Sequence, residues 1–291
     1  MNSTLRLFHA IDPGEKFWSD ELSFHGADAL LERIESGFYD GGKHSIARIR
    51  KRLSERTLTS LEDEIAGSGG EFITNSSDKW PHKLGDLISP PIALIVRGTL
   101  PSCNSIALVG TRNPTTYGAR IACEFASGFA DRALDVISGG AYGIDTHAHR
   151  GAIAAEGRTC AVLASGINVR YPAGNERLFE EILENGSLIS EVMPNERARP
   201  ERFLTRNRLI AALSKATIIV EAAFRSGSLR TAHDAAELMR LVLAVPGPIT
   251  SPTSDGCHRL IGNRRAEIVT SVSDAMELID SNPCTLCGDA A

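Results

Sequence analysis

The 291-residue chain reads as an α/β protein: an extended, Rossmann-like, doubly wound and mostly parallel sheet preceded by a small all-helical domain. Three observations point there. From Ser105 onward, short β-branched runs alternate with amphipathic stretches, the pattern of parallel strands covered by helices on both faces. Glycine-rich loops follow several of those runs. The first 70 residues, by contrast, carry helical spacing with no such alternation.

In chain order, Trp18 to Gly67 places Leu22, Leu30, Leu31, Ile34, Ile46, Ile49 and Leu53 at helical intervals. Gly41-Gly42 interrupts the pattern and Gly67-Ser68-Gly69-Gly70 ends it. Phe72–Thr74 and Ile92–Val96, separated by Trp80-Pro81 and Pro90-Pro91, read as strands added at an edge of the main sheet. Seven further strands are expected at 106–109, 135–137, 159–163, 188–190, 216–220, 241–245 and 266–269. The helices between and after them fall near 116–133, 144–156, 175–185, 205–214, 228–239, 256–262 and 272–280. The division is therefore 1–70 helical, 71–280 sheet domain and 281–291 tail.

Composition excludes several classes. At 42% hydrophobic and 23% charged residues the chain is neither disordered nor fibrous. No run approaches 18 apolar residues, and the first sixteen residues lack the apolar centre of a signal peptide, so no membrane span is expected. Six scattered cysteines do not form a disulfide framework, which fits a reducing cytoplasm. The formal charge of −5 argues against coating nucleic acid by bulk attraction. Residues 1–100 hold 15 acids and 12 bases, and residues 101–291 hold 21 and 19, so neither part is basic.

In an open parallel sheet, ligands bind beyond the carboxyl ends of the strands. Gly110-Thr111-Arg112, Ser138-Gly139-Gly140-Ala141-Tyr142-Gly143-Ile144-Asp145 and Ser226-Gly227-Ser228 all fall there. Glycine backbone, hydroxyls, helix amino-termini and an arginine fork together suit a phosphate. The bland alternative is that these glycines only permit tight turns. No Gly-x-Gly-x-x-Gly follows the first strand of the alternating part and no Gly-x₄-Gly-Lys-Ser/Thr occurs anywhere, so neither a dinucleotide cofactor nor a phosphate-hydrolysing P-loop is expected.

The segment 197–208 holds Arg197, Arg199, Arg202, Arg206 and Arg208 against Glu201, with Arg206-Asn207-Arg208 read as opening a helix and directing its guanidinium groups one way. Of the 19 basic residues after position 100, 18 are arginine, the side chain suited to bidentate phosphate contacts and to stacking on bases. Phe203, Tyr142 and Tyr171 sit beside the loops. Asp145, His147, His149, Glu191 and Glu221 are the acid/base candidates; helix capping by Asp145, an Asp145–His149 pair and packing by the histidines are the alternatives to that role. Cys284-x-x-Cys287 lacks a second ligand pair for zinc. The basic cluster Arg48, Arg50, Lys51, Arg52 and Arg56 reads as a solvated helix face. No catalytic set and no metal site is assigned.

Taken together, these motifs resemble the DNA processing protein A family (DprA, also called Smf). The resemblance runs from about Glu71 to Ile279. It rests on Trp80-Pro81 with Leu84; Pro90-Pro91 through Arg97-Gly98; Val109-Gly110-Thr111-Arg112; Ser138–Asp145 with Ala148-His149; Tyr171-Pro172 with Asn175; Ser190-Glu191; Phe203 with Arg206-Asn207-Arg208; Ser226–Leu229 with Thr231-Ala232; and Val245-Pro246-Gly247. The resemblance implies an extended Rossmann domain that binds single-stranded DNA in a basic pocket, without cofactor or catalysis. It further implies a homodimer through that domain, loading of the recombinase RecA during natural transformation, and a small SAM-like helical domain ahead of the sheet.

By position, Arg112 and the backbone of Gly139, Gly140 and Gly143 hold phosphate, with Arg206 and Arg208 along the same edge. Ala173 stands where many members carry lysine, leaving Arg170 and Arg177 as replacements; Leu204 stands where proline is usual. A carboxy-terminal winged-helix domain, common in relatives, is not expected here. The alternative function is a nucleotide-sensing or nucleotide-hydrolysing protein using the same loops. Phosphoribohydrolases of related fold carry Pro-Gly-Gly-x-Gly-Thr-x-x-Glu, whereas Ser226–Thr231 lacks the paired glycines and Asp234 takes the glutamate's place.

Overall fold

A computed structural model describes residues 2–39 and 46–282. Four helices come first: α1 (Asn2–Ala10), α2 (Lys16–Glu35), α3 (Ile46–Glu55) and α4 (Leu58–Gly67). The strands are β1 (Glu71–Thr74), β2 (Ala93–Gly98), β3 (Ser105–Val109), β4 (Asp135–Ser138), β5 (Thr159–Leu163), β6 (Ser187–Ser190), β7 (Ala216–Ile219), β8 (Leu241–Ala244) and β9 (Glu267–Ile268). From β3 to β9 they alternate with α5 (Thr116–Ala130), α6 (Ile144–Ala154), α7 (Glu176–Asn185), α8 (Pro200–Leu213), α9 (Ser228–Glu237) and α10 (Asp255–Gly262); α11 (Val272–Ser281) follows β9.

The sheet order is β1-β2-β6-β5-β4-β3-β7-β8-β9; β2 runs antiparallel to both its neighbours, β1 and β6, and all other pairs are parallel. The chain winds outward from β3 through β4, β5 and β6, then returns to β7 on the other side of β3. This reversal between β3 and β7 is where a doubly wound sheet opens a crevice at its carboxyl edge.

Strand periodicity sorts the core into two layers. Ile106, Leu108, Val136, Ile218 and Leu243 face one layer with Phe125, Phe129 and Ala148 of α5 and α6. Ala107, Val109, Ile137, Ile219 and Val242 face the other, with Leu209, Ile210 and Leu213 of α8. Burying residues on both faces is why these strands read as continuous apolar runs.

The expected strands and helices recur with small shifts of their ends, and the edge hairpin lies where it was placed. One boundary is corrected. Residues 206–208 do not open a helix: α8 begins six residues earlier, with Arg199 extended as its cap and Pro200 in its first turn. A proline lacks the amide that is unpaired at a helix start and disfavours helical backbone in the residue before it, so it fixes that start. Helix α1 had no counterpart among the expected elements. Its apolar residues divide between two clusters, Leu5 and Phe8 with the sheet-side core and Leu7 and Ala10 with the helical bundle, so they form no single stripe. The Gly41-Gly42 interruption and Cys284/Cys287 lie outside the described residues.

The basic cluster of α3 is not simply solvated. Arg48 and Arg52 pair with Asp12, and Arg56 pairs with Glu64. Among the described residues no helix is long and apolar enough to cross a membrane.

Two buried groups hold elements in register. Arg240, its side chain 3% exposed, donates to the carbonyls of Ala211, Ala212 and Ser214 at the end of α8 and to Asp86 at 2.9 Å. His149 on α6 is wholly buried, with Nδ1 2.7 Å from the Thr159 hydroxyl of β5. Burial, reinforced by Arg206, pulls its pKa down to about 3. Replacing Arg240 with alanine leaves three carbonyls and a carboxylate without their donor and is expected to lower the unfolding free energy by about 3 kcal/mol or more, read by urea titration. His149 stays neutral when folded but takes up a proton below about 6.5 when unfolded. The unfolded state then binds more protons, so stability falls as pH drops from 6.5 toward 3, by at most about 1.4 kcal/mol per pH unit. His149→Asn is expected to flatten that slope in melts between pH 7 and 4; an unchanged slope contradicts the assignment.

Candidate functional site

At the switch point between β3 and β7, an open crevice of about 580 Å³ lies at the carboxyl ends of the strands. Nine of the sequence candidates line it: Gly110 and Arg112 after β3, Asp145 at the start of α6, Phe203, Arg206 and Asn207 on α8, and Ser226, Gly227 and Ser228 after β7. Helix α8 supplies three of them because it crosses this edge with one face turned inward.

The side chain with free charge is Arg112. It is exposed and has no carboxylate partner among the described residues. Its guanidinium lies over the Phe203 ring at 4.9 Å, and Tyr171 meets the same ring edge-on at 5.6 Å. Tyr171 is 47% exposed, so cation and rings form one accessible rim. A planar guanidinium beside aromatic faces can take a phosphate oxygen and a nucleobase together.

Arg206 plays a different part. It is buried, donating to the carbonyls of Gly139 after β4 and Val162 on β5. Burial lowers its pKa to about 10 against the opposing pull of Asp145, which leaves it charged at neutral pH. Asp145 in turn accepts the amides of Gly139 at 3.1 Å and Ala141 at 3.3 Å. Burial pushes the Asp145 carboxyl upward, and Arg206 with those two amides acts in the other direction. Asn175 completes the clamp, donating to the Gly140 and Ala141 carbonyls at 3.0 and 3.3 Å.

This arrangement changes the reading of the glycine-rich loop. The Gly139 amide expected to face a phosphate already carries a carboxylate. A Cβ at Gly139 would overlap the Arg206 guanidinium, and one at Gly140 would meet Phe179. Gly143 has φ of 83°, and a Cβ there would come within 2.3 Å of the Thr111 carbonyl. These glycines are thus required by close packing between loops, the bland alternative raised by the sequence. Ser138 spends its hydroxyl on the Leu108 carbonyl at 2.6 Å, and Thr111 accepts the Ile144 amide on its own carbonyl at 3.1 Å. Ser138, Gly139, Gly140, Gly143 and Thr111 support the crevice and do not line it.

The start of α5 is likewise occupied. Glu221 accepts the Thr115 amide at 2.9 Å and hydroxyl at 2.6 Å, together with the Thr253 hydroxyl at 3.1 Å. Its carboxylate presses on Gly118 in the first helical turn.

Three arginines lie elsewhere. Arg206 and Arg208 do not point the same way: two residues apart on a helix, they project about 200° from each other. Arg208 donates to Glu191 at 2.5 Å and lines a separate cavity with Gly14 and Lys16. Arg170 is bound to Glu180 at 2.6 Å and to the Ile167 carbonyl, and Arg177, 93% exposed on α7, pairs with Glu181. Neither lines the crevice. In the same arginine segment, Arg202 pairs with Glu196 at 2.9 Å. Glu191 and Glu196 both fall just outside the window in which Glu201 alone was counted, so the segment's free charge is smaller than its composition suggests.

The acid/base candidates are engaged within the fold. Asp145 does not pair with His149, whose partner is Thr159, and Asp145 ties the preceding loop in place of capping its own helix. His147 Nδ1 lies 3.7 Å from Cys123 Sγ. Missed by sequence reasoning was the clamp role of Asn175 and the seat of Glu221 on α5. A lone Asn or Glu carries no spacing signal for contacts 29 to 106 residues away.

Comparison with known proteins agrees with this architecture. The family described as DNA recombination-mediator protein A matches residues 71–280. A putative DNA processing protein DprA from Mycobacterium tuberculosis is 43% identical over 244 residues, 79% of this chain but only 62% of the relative, so the chain spans less than two thirds of that protein. The X-ray structure of DNA processing protein A from Streptococcus pneumoniae superposes with a TM-score of 0.80 at 30% identity, covering 95% of this chain and 97% of that one. DNA processing protein A from Helicobacter pylori, whose structure concerns its single-stranded DNA binding mode, superposes with a TM-score of 0.66 at 27% identity, covering 74% and 98%. The chain belongs to the family of DNA recombination-mediator protein A.

Proposed function

We propose that this protein binds single-stranded DNA in the crevice between β3 and β7 and serves, without catalysis, as a recombination mediator. In that role it loads RecA onto incoming strands during natural transformation, working in the cytoplasm as a homodimer joined through its Rossmann domain. Residues 71–280 are the DNA-binding domain in this reading, and residues 1–70 a helical domain packed against it.

The observation that carries the reading is the Arg112–Phe203–Tyr171 rim, a guanidinium without a carboxylate partner over the Phe203 ring, which exposed Tyr171 meets edge-on, at the sheet's switch point. Single strands are held by such pairings of phosphate charge and aromatic stacking, which tolerate any base. The single-stranded DNA binding named for the Helicobacter pylori relative supports the same ligand. The opening of about 580 Å³ also has room for a mononucleotide, which keeps a nucleotide-sensing role as the second reading.

Arg112→Ala is expected to weaken binding of a labelled oligothymidine about tenfold and to reduce the slope of log affinity against log salt by about 0.7, the share of one phosphate contact on a single strand. Phe203→Ala is expected to cost a further factor of about ten or more by removing a stacking face. Fluorescence anisotropy across a salt series measures both. Tight binding of a mononucleotide with no oligonucleotide binding favours the second reading.

A further inference from the structure

The loop that closes the crevice on the β7 side continues outward into a cluster the crevice itself does not include. Phe224 is 48% exposed, and the Arg259 guanidinium lies over its ring at 4.0 Å. Arg225 approaches the same ring at 5.9 Å. Arg225 and Arg259 are both exposed, and neither makes an ion pair among the described residues. Asp255, one turn before Arg259 on α10, does not pair with it, and Glu221 is occupied by Thr115 and Thr253.

The cluster is assembled from two loops fixed to one another. Ala222 donates its amide to the Thr253 carbonyl at 2.7 Å, and Gly256 donates to the Ala222 carbonyl at 2.8 Å. A Cβ at Gly256 would meet the Ala222 and Ala223 carbonyls, so α10 and the β7 loop are in direct contact. Ser226, which lines the crevice, follows Arg225 directly; Phe224 is therefore within about 7 Å of it along the backbone.

We infer that Phe224, Arg225 and Arg259 form a second nucleotide subsite, which takes a further base and phosphate of the same single strand as it leaves the crevice toward β8. The inference rests on the reading of the crevice as a single-strand site. An exposed aromatic ring flanked by two guanidinium groups without counter-charges matches a polyanion that also offers flat faces. It also repeats the chemistry of the Arg112–Phe203 rim on the neighbouring loop, so the two stations lie in succession along one sheet edge.

The test compares oligothymidines of about 4 and about 20 nucleotides, the shorter sized for one station, on the full chain carrying Phe224→Ala with Arg259→Gln. The expected result is a loss of about tenfold or more for the longer strand, a salt slope smaller by about 0.7, and binding of the shorter strand within about twofold of the parent. Arg225→Glu, a change at an exposed position, is expected to act in the same direction. If the longer strand binds the double variant as tightly as the parent while Arg112→Ala still weakens it, the subsite is wrong and the crevice reading stands. An equal loss for both lengths also overturns a separate subsite. If Arg112→Ala and the double variant are both without effect, the crevice reading itself fails.

Discussion

The buried guanidinium of Arg206 is the contact on which the crevice edge of the sheet depends. It lies where β4 and β5 end and donates to the Gly139 and Val162 carbonyls, with Asp145 as the opposing charge. Because Asp145 carries the Gly139 and Ala141 amides while Arg206 carries the Gly139 carbonyl, the two side chains meet through one residue and set the position of α8, the loop after β4 and the start of α6 together. Buried charges held by backbone groups tolerate few alternative geometries, since a lost partner leaves the charge uncompensated. Rigidity at the floor lets exposed Arg112 and half-buried Phe203 at the rim keep a defined orientation.

Charge in this protein is arranged by depth more than by region. A net charge of −5 coexists with an accessible cationic rim because the acids nearest the crevice are turned inward. Glu221 rests on the first turn of α5, Asp145 ties the loop after β4, and Glu191 and Glu196 hold Arg208 and Arg202. The start of α5 and the loop amides ahead of α6 are already supplied with carboxylates from the fold. What remains for a ligand is side-chain charge and aromatic surface, recognition that does not demand one particular phosphate geometry.

The architecture was legible because strand and helix periodicities are local. Ile106–Val109 and Ala216–Val220 are β-branched, apolar and short, and the loops after them carry the glycines that a tight strand-to-helix turn requires. Arg112, Phe203 and Ser226–Ser228 were legible as lining residues by the same logic, since strand-end loops must meet at one edge. Direction was not legible. Arg206 and Arg208 share a tripeptide yet face opposite environments, and the acids that bind Arg202 and Arg208 lie 6 and 17 residues away. Neither could the glycines disclose their purpose, since a residue without a side chain is equally suited to a phosphate and to the Arg206 guanidinium that lies against Gly139. The start of α8 was misplaced although Pro200 marked it, because the arginines beyond drew the boundary inward.

Helix α1 belongs to two cores at once, with Leu5 and Phe8 among the residues covering β2 and β5, and Leu7 and Ala10 among those packing Trp18, Leu30 and Ile34. Asn195, in the loop after β6, adds a polar tie by donating its amide to Glu64 of α4 at 2.8 Å. Nine residues thus serve as a shared wall: peeling the bundle away strips apolar cover from the sheet, and melting the sheet removes one side of the bundle. Heat or denaturant therefore meets the two parts as a single cooperative unit, in which loosening at the amino terminus is felt as far as the strand carrying Ala161 and Leu163.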